Sequence, residues 1–91
     1  MVTDADGKLA GIITDADIRR SLAKKGAETF SVKCSDLMTP DCKRVAEDTL
    51  AAEAMAVFHK YRIDELPVVN AEDQPVGLID VQDIVAIKIV G

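Results

Sequence analysis

A short polar run near the N-terminus, Thr14-Asp15-Ala16-Asp17-Ile18-Arg19-Arg20, holds the residues best suited to grip a small charged molecule. It follows the apolar residues 9–13 and precedes helical spacing at Ile18 and Leu22, so Thr14 ends a strand and Asp17 falls one turn into a helix. A hydroxyl and a carboxylate at that spacing can face one cleft. There Asp17 would accept hydrogen bonds from the two hydroxyls of a ribose, and Thr14 would bond sugar or phosphate. The helix opening offers free backbone N–H groups to an anion, and Arg19 or Arg20 would add charge-assisted bonds to phosphate that a lysine cannot make in bidentate form. The same acidic residues also have a purely structural use. Asp15 and Asp17 suit the first turn of a helix for capping and dipole reasons alone; Asp15 is placed to cap this one and Gly26 to end it.

The elements around this run occur twice. Sliding the chain by 66 positions superimposes Gly11 on Gly77, Ile13 on Ile79, Asp17 on Asp83 and Ile18 on Ile84. Each copy reads as strand, acidic turn, second strand and helix. The turns Asp4-Ala5-Asp6-Gly7 and Asn70-Ala71-Glu72-Asp73 carry side chains that bond their own backbone, so both are hairpin candidates. In the second copy Asp80 stands where Thr14 stands in the first, and Asp83 repeats Asp17. Two carboxylates on one cleft repel a phosphate, so this second site is expected to be weaker, empty, or selective for a ligand that brings a cation. No nucleophile or metal-ligand set accompanies them, so general acid/base work is not expected there.

Only the second copy has a full leading segment. Residues 35–38 form a short helical turn stopped by Thr39-Pro40, residues 43–46 a strand, and Asp48 or Thr49 would cap a helix with Leu50, Ala54, Val57, Phe58 and Tyr61 on one face. Residues 63–69 return as a strand. The result is an α/β chain: a β-α-β-β-α unit over residues 34–91, preceded by a partial β-β-α unit over residues 1–33, with small sheets packed against helices in one module. The truncated first unit leaves the strand 11–14 short of neighbours, and an exposed apolar edge invites pairing.

Composition narrows the partners. The chain has 91 residues, 48% of them hydrophobic, enough for one ordinary core. Aromatics at 3% supply no stacking platform for bases, and a formal charge of -5 repels a phosphate backbone, so nucleic acid is a poor partner. No apolar run reaches the ~20 residues of a membrane span, and nothing resembles a signal peptide; a cytoplasmic protein is expected. Cys34, Cys42 and His59 are too few and too scattered for a tetrahedral metal site. His59 belongs on a helix surface, and the two thiols are expected to be reduced.

The order Leu37-Met38-Thr39, Leu66-Pro67-Val68-Val69, Gly77-Leu78-Ile79-Asp80-Val81-Gln82-Asp83 resembles a CBS motif, and residues 9–20 resemble the end of another. The string 14–20 followed by Asp36-Leu37-Met38-Thr39 is similar to the C-terminal CBS pair of bacterial arabinose-5-phosphate isomerases, which supply the lipopolysaccharide sugar Kdo. The resemblance implies a regulatory module that binds a small-molecule nucleotide such as AMP or ATP, or a nucleotide-sugar such as CMP-Kdo. It implies backbone contacts to a base near Leu66 and Pro67, and no catalysis, because the isomerase chemistry of that family resides in a separate domain. It also implies a homodimer or higher assembly, through helical faces around Ile18 and Leu22 and residues 84–90 or by exchange of edge elements. The competing reading is a structural dimerisation module whose clefts stay empty.

Overall fold

The two acidic turns show at atomic scale why the copies fold alike. In the computed structural model, which describes residues 1–82, Asp4 Oδ1 accepts hydrogen bonds from the backbone N–H of Asp6 at 2.9 Å and of Lys8 at 3.0 Å. Sixty-six positions on, Asn70 Oδ1 accepts from the N–H of Glu72 and of Gln74, each at 3.0 Å. The residue that closes each turn is left-handed: Gly7 at φ 78° and its counterpart Asp73 at φ 62°. Glycine adopts that conformation without cost, whereas a non-glycine residue needs compensation. Asp73 is steadied by the Arg44 guanidinium, whose Nη1 lies 2.9 and 3.1 Å from the two carboxylate oxygens.

The first hairpin consists of β1 (Val2–Thr3) and β2 (Leu9–Ile12). Helix α1 (Asp15–Lys25) follows, then a 3-10 segment (Gly26–Ser31), the short helix α2 (Cys34–Leu37) and β3 (Thr39–Pro40). Gly26, at φ 56°, closes α1 as expected. The second half runs β4 (Val45–Ala46), α3 (Ala51–Tyr61), β5 (Glu65–Val69) and β6 (Pro75–Asp80), with helical backbone again at Val81 and Gln82. The chain divides into two compact units, Met1–Cys42 and Lys43–Gly91. Residues 34–42, which the repeat reads as the front of the second motif, therefore pack with the first unit.

In that first unit β2 is central: β1 flanks it on one side and β3 on the other, both antiparallel, with Gly11 opposite Pro40 and Ile12 opposite Thr39. This corrects the expectation of a strand 11–14 short of neighbours. The segment after α2 supplies the missing strand, and the argument for assembly by edge exchange at this position falls with it. Gly11 is what lets the segment approach. A Cβ built there would sit 2.6 Å from both the Met38 sulfur and the Thr39 carbonyl oxygen.

In the second unit β5 lies between β4, parallel, and β6, antiparallel. Its Leu66 is fully buried with Ala54 and Phe58 of α3, and Val45, Val57, Ile63, Ile79 and Val81 pack around them. Burial of a side chain such as Leu66 or Phe58 contributes about 1.5–3 kcal/mol. Two expectations for α3 are corrected. Leu50 is the N-cap and no side chain caps the helix, because a turn closed by the Thr49 N–H on the Ala46 carbonyl carries Asp48 and Thr49 away from the cap position. Leu50 and Tyr61 also leave the core face and are exposed. The Tyr61 ring instead faces the ammonium groups of Lys43, 4.3 Å from its centroid, and Lys60, at 5.3 Å.

The two repeat-equivalent glycines differ in what surrounds them. A Cβ at Gly77 would meet only the Val68 Cβ at an ordinary 4.0 Å. Gly11→Ala is therefore expected to destabilise the chain by about 1–3 kcal/mol through forced separation of β2 and β3. Gly77→Ala, in contrast, stays within ~0.5 kcal/mol of the parent. Chemical denaturation of the two variants side by side tests this, and equal losses would refute the close-approach argument.

Candidate functional site

Helix α1 buries a charged residue in place of an apolar one. Asp17 is its single buried residue at 3% exposure, while Ile18 and Leu22 are each 37% exposed. The sequence explains how this comes about. Thr14 leaves the sheet in extended conformation and becomes the N-cap, its hydroxyl accepting from the Asp17 N–H at 3.3 Å while Asp17 Oδ2 accepts from the Thr14 N–H at 2.9 Å. This reciprocal pair is a capping box with Asp at the third helical position. The cap is thus Thr14 and not Asp15, which sits inside the first turn as the exposed partner of Arg19 at 3.4 Å. An ion pair so exposed contributes little.

Four donors converge on the Asp17 carboxylate. Oδ2 takes the Thr14 N–H and, at 3.1 Å, the Thr14 hydroxyl. Oδ1 takes the Thr39 hydroxyl at 2.9 Å and Arg20 Nη1 at 3.2 Å. Burial pushes the carboxyl toward a higher pKa, but the Thr14 N–H, the Thr39 and Thr14 hydroxyls and the Arg20 guanidinium all favour the anion and together hold its pKa below the usual 3.8. The donors on Oδ1 are the outer ones: Thr39 is exposed and the Arg20 side chain is 67% exposed.

The predicted site residues therefore fall into groups. Thr14, Asp17 and Arg20 meet directly, whereas Arg19 is turned to Asp15. Leu66 and Pro67 are fully buried in the middle of β5, which leaves their backbone and not their side chains for any ligand contact. Asp80 accepts the Gln82 N–H at 2.8 Å, the start-of-helix role that Thr14 plays in the first copy; Asp and Thr both serve well there. Asp83 and residues 84–90 lie outside the described residues. The residue missed in the site was Thr39. The Leu37-Met38-Thr39 signature marked it, but only the pairing of β3 with β2 brings its hydroxyl, 22 positions away in sequence, to Asp17. Among the described residues no group of His, Cys, Asp and Glu is arranged to hold a metal, and no helix is long and apolar enough to cross a membrane.

A hairpin built twice on the same Asx turn, each time leading into a helix capped by a short polar side chain, defines a small repeated α/β module. The chain belongs to the CBS domain family, whose model matches residues 1–24 and 34–89. Within it the chain is similar to the C-terminal region of arabinose 5-phosphate isomerase KdsD of Pseudomonas aeruginosa, with 42% identity over 84 residues, 92% of this chain. It spans only about a quarter (26%) of that enzyme. Among solved structures it is similar to the CBS domain pair of protein MJ0100 in complex with 5-methylthioadenosine and S-adenosyl-L-methionine. There the TM-score is 0.81 and the identity 30%, covering 96% of this chain and 66% of that one. It is likewise similar to CBSX2 in complex with AMP, with a TM-score of 0.76 and 27% identity, covering 99% of this chain and 71% of that one.

A carboxylate whose folded pKa is depressed stabilises the fold above its unfolded pKa, and that stability is lost as pH falls through the folded value. For Asp17 the loss falls below about pH 4, the ordinary carboxylate range. In Asp17→Asn the amide N–H₂ opposes either the Thr14 N–H or the Arg20 guanidinium, neither of which can accept, so the variant is expected to be about 2–3 kcal/mol less stable at pH 7. The gap to the parent narrows as pH falls below about 4. Denaturant melts of both proteins across this range test the expectation, and a gap that is constant with pH would refute it.

Proposed function

We infer that this chain is a regulatory module that binds a nucleotide or nucleotide-sugar, and that it is the CBS tail of an arabinose 5-phosphate isomerase serving Kdo and lipopolysaccharide synthesis. The 42% identity to such an enzyme supports this reading. Adenine-containing ligands on two CBS proteins of similar fold support the ligand class. On this reading the isomerisation belongs to a domain of the parent enzyme, the chain itself performs no catalysis, and its location is cytoplasmic. Residues 1–33 and 34–91 act as the back half of one motif and a complete second one. Asp17 accepts the ribose hydroxyls, Thr14 assists, and Arg20 with Arg19 meets the phosphate. Leu66 and Pro67 offer backbone to the base. Asp80 and Asp83 form the weaker counterpart, since a carboxylate at position 80 faces any phosphate with a like charge. AMP, ATP and CMP-Kdo, the activated product of the pathway, are the ligands to compare.

Calorimetric titration of the chain with AMP, ATP, CMP and CMP-Kdo is expected to give saturable binding to at least one. The affinity should fall roughly 10–100-fold in Asp17→Asn, as suits the loss of charge-assisted hydrogen bonds, with circular dichroism confirming that the variant is folded. Silence across the panel would overturn the sensor reading.

One observation favours the structural alternative. Helix α1 leaves Ile18 and Leu22, one turn apart, each 37% exposed. On this second reading that face is a homodimer contact. Sedimentation over a concentration series is expected to show an assembly that Ile18→Glu and Leu22→Glu weaken, and a monomer throughout would remove the reading.

A further inference from the structure

We propose that Thr39 is a built-in competitor for the ligand site: its hydroxyl occupies the acceptor on Asp17 that a ribose would need, so that binding releases the β3 segment. The proposal rests on the nucleotide-binding reading of Asp17 and adds to it a regulatory contact. Oδ2 is committed to the capping box through the Thr14 N–H and hydroxyl, at 2.9 and 3.1 Å, and giving those up would unwind the start of α1. Oδ1 is held at 2.9 Å by the Thr39 hydroxyl and at 3.2 Å by Arg20, both from exposed side chains. Asp17 itself is 3% exposed, so a ligand reaches it only by displacing these two.

The exchange is chemically even-handed. A ribose hydroxyl replaces a threonine hydroxyl on the same oxygen, and the Arg20 guanidinium is freed for the ligand's phosphate as it swings off Oδ1. Such a swap costs the ligand one protein hydrogen bond, which lowers its affinity, and in return couples occupancy to chain position. Thr39 is half of the two-residue strand β3, which registers on β2 by Ile12 opposite Thr39 and Gly11 opposite Pro40. Losing the Thr39–Asp17 bond leaves that ladder with no side-chain tether from Thr39 to α1. A ligand is thereby linked to the segment that leads from α2 toward the second unit, as differential binding to two arrangements requires.

The test is calorimetric titration with AMP and ATP of the parent chain, Thr39→Val and Thr39→Ser. Valine keeps the shape and removes the hydroxyl; serine keeps the hydroxyl and controls for the substitution itself. Thr39→Val is expected to bind roughly 2–10-fold more tightly than the parent, the range of one ordinary hydrogen bond, with Thr39→Ser returning to the parent affinity. Binding by the parent with an unchanged or weakened Thr39→Val overturns the competitor and leaves the nucleotide reading standing. No binding by any of the three proteins overturns both. Should Thr39→Val fail to fold at 25 °C by circular dichroism, Thr39→Ala is titrated in its place under the same criterion.

Discussion

A carboxylate buried at 3% exposure must be compensated, and much of the first unit is arranged to do so for Asp17. Its four hydrogen bonds come from three different parts of the chain: the end of β2 through Thr14, its own helix through Arg20, and β3 through Thr39. A hydrophobic contact in this place would be tolerant of small shifts; a hydrogen-bonded anion is not. Helix start, sheet edge and the strand after α2 are thereby held in one register. The exposed apolar residues of α1 follow from the same arrangement, since the face turned inward carries a charge and Ile18 and Leu22 are left to the outside.

The described part of the second unit is centred on hydrophobic packing. Leu66, Ala54 and Phe58 are its buried centre, and its hairpin repeats the Asx turn of the first. Where glycine closes the first turn, Asp73 closes the second in the same left-handed conformation, held by Arg44. The strand-to-helix junction is also conserved in role though not in residue type, Asp80 taking the place of Thr14. Two copies of one architecture thus reach the same turn and helix start through different chemistry, while the CBS family model matches the chain over residues 1–24 and 34–89.

Under the proposed sensor function, the useful property of the first unit is that one oxygen of its buried carboxylate is satisfied by neighbours that lie at the surface. Interior donors would make Asp17 a fixed structural element. Exposed ones, Thr39 and Arg20, make Oδ1 an exchangeable acceptor, while Oδ2 stays with the helix cap. On that proposal the anchor holds the fold when empty and offers a like-for-like exchange when a hydroxyl-bearing ligand arrives.

Much of this was legible in the linear chain, for local physical reasons. Asx turns, glycine at a helix end and helical spacing depend on neighbours a few positions apart, so hairpins, α1, α3 and the shared face of Thr14 and Asp17 could be read from residue types, though these point to Asp15 as the cap where the structure has Thr14. The repeat and its motifs pointed to the CBS family in the same way. The tertiary structure decided what depends on distant partners. It gave β2 a second neighbour from residues 39–40, and it turned Tyr61 from the core to two lysines. It also brought Thr39 onto Asp17, so that a carboxylate that reads as open to a ligand is already engaged. Spacing along a chain reports which groups can share a face; only the fold reports which of their hydrogen bonds are already spent, because the competing donor can come from anywhere in the sequence.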